Sequence, residues 1–352
     1  MPRNKKTTIE KRGAILRFPE GFLWGAATSA YQVEGGIVNN DWAQSQMPLA
    51  GRACDHFNRF EEDFRLAKKL HHNAHRLSLE WSRIEPAEGL WNEDALDHYA
   101  HVLDGLKEKG FATFVTLHHF TNPVWFAKAG GWASRKSIDY FARFTDKIVN
   151  ALGELIDFWV TVNEPNIYAY MCYQKGIWPP FQKSFYQSYR VYRNMRAAHN
   201  KAYDLIHAYY PDVNVGFANN IPANEPVAAT SFFDNKLVQF SNWLTIDYPY
   251  SRTKNDFIGL NYYFRNKMHL GLDSRFPPAW TLSKRSRAGR GNDRKKILVS
   301  DIRTDKDWEI YPEGLYRILL NLKRFKKPIY ILENGIADAK DTKRANFIID
   351  HL

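Results

Sequence analysis

Cysteine is nearly absent from this chain. Of 352 residues only Cys54 and Cys172 are cysteines, far apart and in no paired motif. That excludes a disulfide scaffold, offers no zinc-site spacing and fits a reducing compartment. Also lacking is any run of about 18 apolar residues, so no membrane-spanning helix is expected. The basic first residues are followed by no apolar segment before Phe18-Pro19-Glu20-Gly21. No secretory signal is therefore read, and a soluble cytoplasmic protein without a membrane partner is expected. No Gly-rich dinucleotide or phosphate-loop pattern follows any strand-like run, which argues against an open, doubly wound nucleotide-binding sheet and for no cofactor. Repeats, linkers and low-complexity blocks are missing too, so a single domain is expected.

Charge is not lacking, but it is unevenly placed. The net charge of +11 sits mostly in two segments. The first carries Arg3, Lys5, Lys6, Lys11, Arg12 and Arg17 against Glu10 and Glu20. The second, 284–296, carries Lys284, Arg285, Arg287, Arg290, Arg294, Lys295 and Lys296 against Asp293 alone. A nucleic-acid reader usually carries its charge on a folded face. Here the expectation is a disordered tail over 1–17 and a mobile basic loop near 270–300, with no nucleic-acid partner.

What is abundant is aromatic: 15% of residues, including 11 Trp. Most of that serves core packing, and the remainder offers flat, sugar-compatible surfaces. Seven apolar, β-branched or aromatic runs recur, at 22–27, 74–79, 112–117, 158–162, 213–218, 257–262 and 329–332. Amphipathic stretches follow most of them, for example 60–70, 94–109, 138–152 and 188–209. Continuous apolar strands alternating with helices predict a parallel sheet with helices outside. The fold class expected is α/β, a (β/α)8 barrel that is incomplete over 18–352. A further βα unit needs about thirty residues. After the seventh run there is only a loop and the start of a helix at 344–352.

Two short signatures stand at strand ends: Thr161-Val162-Asn163-Glu164-Pro165 and Leu332-Glu333-Asn334-Gly335. In a parallel barrel such residues point into a common mouth. Two carboxylates there suit acid/base work on a glycosidic bond. His71, His72 and His75 stand almost adjacent on a helix-to-strand passage, without ligand-like spacing, so no metal is expected.

The residues from Phe18 to Gly35 (Phe-Pro-Glu-Gly-Phe-Leu-Trp-Gly-Ala-Ala-Thr-Ser-Ala-Tyr-Gln-Val-Glu-Gly) closely resemble the N-terminal signature of glycoside hydrolase family 1, the β-glucosidase type. His75-Arg76-Leu77-Ser78 and Thr116-Leu117-His118-His119-Phe120 follow in the family's order. Next come Thr161 to Pro165, Asp256-Phe257-Ile258-Gly259-Leu260-Asn261-Tyr262-Tyr263, Trp308 to Leu315 and Leu332 to Gly335. Seven in order are specific where one alone is weak.

The resemblance implies a retaining mechanism with Glu333 as nucleophile and Glu164 as acid/base. It gives Arg76 and Tyr263 as groups holding Glu333 ionised, with Asn261 supporting. It also implies Asn163 on the sugar 2-hydroxyl, Gln32 and His119 as sugar ligands, Trp308 as an aromatic wall, and Phe120 where many members have Trp. Taken alone, Arg76 and His119 also read as buried structural partners, and Tyr262 and Trp24 as core or wall.

Nothing in 339–352 resembles the family's eighth-strand segment. Three expectations follow: weakened recognition of the sugar ring, unpaired edges on the first and seventh strands that favour homo-oligomerisation or a widened cleft, and retained hydrolysis of small-molecule or oligosaccharide β-glycosides. A non-catalytic carbohydrate-binding or scaffolding protein is the alternative reading.

Overall fold

The computed structural model describes residues 17–269 and 302–352. The basic tail, apart from Arg17, and the loop expected near 270–300 lie outside the described residues.

Among the described residues nine strands form in chain order: β1 Gly25–Ala27, β2 Ala74–Ser78, β3 Ala112–His118, β4 Phe158–Asn163, β5 Asn214–Asn220, β6 Ala223–Pro226, β7 Ile258–Tyr262, β8 Arg265–Met268 and β9 Ile329–Asn334. Seven of them make one parallel sheet in the order β1-β2-β3-β4-β5-β7-β9, curled into a nearly closed barrel. Each of the seven predicted runs is one of these strands. Ala223–Pro226 and Arg265–Met268 form a small parallel pair of their own, which the apolar patterning does not announce. They form because β5 and β7 are neighbours, so their continuations beyond the mouth meet again, with Ala223 N–H donating to Phe264 C=O at 3.1 Å.

The long helices are His56–Lys69, Glu93–Glu108, Ser137–Leu152 and Phe185–Tyr209. Each begins earlier than its apolar periodicity suggests, and two of the starts, at Glu93 and Phe185, are set by side-chain caps. Asn92 accepts from Ala95 N–H at 3.1 Å, and Ser184 accepts from Gln187 N–H at 3.3 Å. Trp81, Phe126, Trp132, Phe141 and Phe144 fill the space between helices and sheet, all fully buried.

Inside the barrel, near the strand starts, Phe114 and Phe158 stack at 4.1 Å, with Phe257 and Tyr330 edge-on to them. These rings plug the lower part of the barrel. Glycine makes room for them: a Cβ at Gly216 would come within 2.7 Å of the Phe257 ring. Above the plug the inward residues turn polar.

The barrel is not uniform around its circumference. β2 is buried at every residue and β3, β4 and β5 nearly so, whereas β1 is exposed throughout and Ile331 of β9 is 42% exposed. β1 and β9 end the strand order and come near one another without pairing. No strand lies between them among the described residues.

Candidate active site

Glu164 and Glu333 reach the mouth by different means. In β4 the register against β5 shifts between Val160 and Asn163, an irregularity that turns Asn163 inward. Glu164 then takes a left-handed backbone (φ 44), and Pro165 begins a short helix. Such backbone strain at a non-glycine residue is typical of a functional position. In β9 a similar shift, opposite Leu260 and Asn261, carries Glu333 inward beyond Leu332.

The surroundings of the two carboxylates differ. Glu333 Oε1 accepts from Arg76 Nη1 at 2.6 Å, and Glu333 Oε2 accepts from the Tyr263 hydroxyl. Glu164 Oε1 accepts from Asn261 Nδ2 at 2.8 Å and Asn220 Nδ2 at 2.9 Å, both neutral donors. Burial is the largest influence on each and favours the protonated form. For Glu164 it prevails: with the charge on Glu333 adding to it, the pKa is pushed up to about 7. For Glu333 the Arg76 charge and the hydrogen bonds from Tyr263 and Arg76 outweigh burial, and the pKa falls below its ordinary value. His119 adds little charge at neutral pH, since burial lowers its pKa to about 3.

Arg76 organises the centre. Its Nε donates to Thr116 Oγ1 at 3.0 Å, its Nη2 to Asn163 Oδ1 at 2.7 Å and its Nη1 to the Leu332 carbonyl at 3.3 Å as well as to Glu333. The side chain is 4% exposed. A buried guanidinium so fully engaged links β2, β3, β4 and β9. Asn163 Nδ2 donates to His119 Nε2 at 3.3 Å, and Asn261 Nδ2 also reaches Asn163 Oδ1 at 3.2 Å.

The remaining candidates line the same cleft, which has a volume of about 2580 Å³ and runs from the mouth down to the β1/β9 seam. Gln32 is exposed there, its Oε1 accepting from Ser29 Oγ at 2.7 Å. His119 and Phe120 sit half-buried on a tight turn with Phe120 at φ 68. That turn is clamped from behind: Asn122 donates to Asp41 from its backbone (2.9 Å) and Nδ2 (2.7 Å), and Thr121 Oγ1 donates to Glu80 at 2.9 Å. Trp308 packs on Tyr263 and Phe264 at 5.7 and 4.7 Å. Tyr262 is core, and Trp24 packs edge-on to Phe18 and tilted against Phe22 in the cleft lining. His75 faces away from the barrel and packs on Phe64 at 5.1 Å, and among the described residues no group of His, Cys, Asp or Glu is arranged to hold a metal.

Three lining residues escaped the sequence reading. Asn220 supports Glu164 from the end of β5, and its position as a polar strand-end residue is the signal that marks it. Trp42 and Trp178 pack tilted at 5.2 Å, and Trp178 meets Phe120 at 5.1 Å, so these rings form an aromatic wall of the cleft that Trp308 also lines. Both lie in irregular loops, where periodicity gives no cue.

A parallel barrel whose mouth holds one carboxyl biased toward the acid form and one biased toward the anion is built for glycosyl chemistry. The sequence pattern of Glycosyl hydrolase family 1 matches residues 15–247 and 245–352. β-Glucosidase A of Thermotoga maritima is 32% identical over 371 residues, covering 92% of this chain and 79% of that protein. The chloroplastic galactolipid galactosyltransferase SFR2 of Arabidopsis thaliana is 32% identical over 317 residues, covering 83% of this chain but 47% of that protein. The structure of a β-glycosidase from Pyrococcus horikoshii superposes with a TM-score of 0.82 at 32% identity, over 96% of this chain and 80% of that one. The chain belongs to glycosyl hydrolase family 1, and its activity is that of a β-glycosidase. No described helix is long and apolar enough to cross a membrane.

Proposed function

We propose that the chain hydrolyses β-glucoside-like substrates by a retaining, two-step mechanism. In the first step an oxygen of Glu333 attacks the anomeric carbon as the bond to the aglycone oxygen breaks, and the Glu164 carboxyl gives its proton to that oxygen. In the second, Glu164, now a carboxylate, takes a proton from water as the water oxygen attacks the anomeric carbon and Glu333 leaves. A sugar hydroxyl in place of water would give transfer instead, the chemistry in the printed name of the Arabidopsis relative. The observation that carries the reading is the opposite bias of the two carboxylates, Glu164 raised to about 7 and Glu333 lowered. Asn163, held by Arg76, is aimed to meet the sugar 2-hydroxyl, and Gln32 and His119 meet the outer hydroxyls. With the cleft open at the seam, ring recognition rests on fewer contacts, so discrimination between epimeric sugars is weak. The exposed β1 and β9 edges also offer a pairing surface to a second copy, which size-exclusion chromatography tests: a dimer supports it, and a monomer at all concentrations opposes it. Proton NMR of the first product formed from an aryl β-glucoside tests the mechanism. Initial release of the β-anomer supports retention, and initial α-anomer rejects it.

A further inference from the structure

Asp41 is not part of the cleft lining, whereas its neighbour Trp42 and the turn residues His119 and Phe120 are. It is nevertheless bound to that turn at three points, all on Asn122. The Asp41 N–H donates to the Asn122 carbonyl at 2.9 Å, its Oδ1 accepts from the Asn122 N–H at 2.9 Å, and its Oδ2 accepts from Asn122 Nδ2 at 2.7 Å. Together these bonds fix both the backbone and the side chain of Asn122, whose Oδ1 also accepts from Trp132 Nε1 at 3.0 Å. The turn needs such an anchor. Phe120 holds a left-handed φ of 68, which a bulky residue keeps only where its surroundings impose it.

Burial pushes the Asp41 pKa up to about 7, with the charge of Glu80 adding to it, and among the described residues no lysine or arginine pairs with the carboxylate. A buried carboxylate without a cation costs stability, so its presence points to a role beyond packing. The chain around Asp41 also touches the other sugar-side groups. Trp42 packs on Tyr31, next to Gln32, at 6.2 Å and on Trp178 at 5.2 Å, and Trp178 packs on Phe120 at 5.1 Å.

We propose that Asp41 is a positioning residue for sugar recognition: through Asn122 it fixes the turn that presents His119 to a ring hydroxyl. The proposal rests on the glycosidase reading above, which sets the sugar against His119. Asp41 itself touches no sugar, and its effect passes through the turn.

The test measures kcat/KM on nitrophenyl β-glucoside and on its 3-, 4- and 6-deoxy forms, for the parent, Asp41→Asn, His119→Ala and the double variant. His119→Ala should remove the disadvantage of the deoxy form that lacks the hydroxyl it binds. Asp41→Asn is expected to shrink the same glucoside-to-deoxy ratio about tenfold, the equivalent of one hydrogen bond. In the His119→Ala background it should change that ratio by less than about twofold, because the two residues act in series. Asp41→Glu, which keeps the charge but displaces the acceptor by one carbon, should shrink the ratio as well, and it decides the matter if Asp41→Asn does not fold. A residue that merely stabilises the fold would lower Tm and leave every ratio alone. Parent-like ratios in the folded Asp41 variants, or an Asp41 effect that adds in full to that of His119→Ala, would overturn the proposal. Absence of turnover on every glycoside would instead defeat the glycosidase reading. Calorimetry with thio-linked forms of the same four sugars then decides the positioning role separately: the same pattern in the binding ratios supports it, and unchanged ratios reject it.

Discussion

The two catalytic candidates stand on opposite kinds of wall. Glu164 ends β4, in an arc where β2 to β5 are covered on both faces and braced by the Phe114–Phe158 stack below. Glu333 ends β9, the last strand of the sheet, whose outward Ile331 is 42% exposed. The position of Glu333 therefore depends less on its own strand than on Arg76, reaching across from β2, and on Tyr263 beside it. Rigidity in the arc comes from packing, whereas order at the seam comes from one buried guanidinium and one phenol.

This contrast can be broken at several points. The largest effect is expected from Glu333→Gln, which removes the proposed nucleophile: loss of about 10⁴-fold or more in kcat on aryl β-glucosides. Glu164→Gln should cost about 10²- to 10⁴-fold on alkyl glucosides, whose leaving oxygen needs a proton, and much less on nitrophenyl glucosides, whose leaving group does not. The ratio of the two losses is the readout, and equal losses would contradict an acid role.

The pH profile sharpens the comparison next. Glu164 must carry its proton and Glu333 must not, so kcat/KM should fall as pH rises through about 7 and fall again at low pH, below the usual glutamate range. Arg76→Met is expected to raise the acid limb most, because Arg76 bonds Glu333 directly, and the alkaline limb less, because Arg76 acts on Glu164 through its charge alone. A shift of the alkaline limb alone would reverse the assignment.

Smaller effects concern stability. Phe114→Ala, in the braced arc, should cost about 3–5 kcal/mol, whereas Ile331→Thr, at the seam, should cost no more than about 0.5 kcal/mol. Urea midpoints measure both, and a comparable cost at the two sites would mean the seam is as firmly held as the arc. Smallest is Glu34→Gln. Burial raises the Glu34 pKa to about 7, so the folded chain binds a proton that the unfolded chain has lost. Glu34 therefore makes stability decline as pH rises from the ordinary carboxylate value to about 7. The variant should show a shallower decline in Tm between pH 5 and 8 than the parent, and an identical slope would count against the buried-acid account.

All seven barrel strands and the positions of both carboxylates were legible in the sequence. A strand covered on both faces is mostly apolar, and a polar residue at its end faces the mouth. The helix starts were less legible because His56, Asn58 and Arg59 obey no apolar period. The β6/β8 pair was invisible, since Ala223–Pro226 and Arg265–Met268 pair only because their parent strands are neighbours. Asn220 went unnoticed because its value lies in where Glu164 arrives from another strand, and Trp42 and Trp178 because loop geometry alone brings them together.

The central claim is that Glu333, though on the edge strand, is held to attack carbon. Reaction with a 2-deoxy-2-fluoro-β-glucoside bearing a good leaving group, followed by mass spectrometry of the protein and its peptides, tests this most directly. The account predicts one fluorosugar per chain, attached through the peptide that contains Glu333. An unlabelled protein, or a label on any other residue, would contradict it.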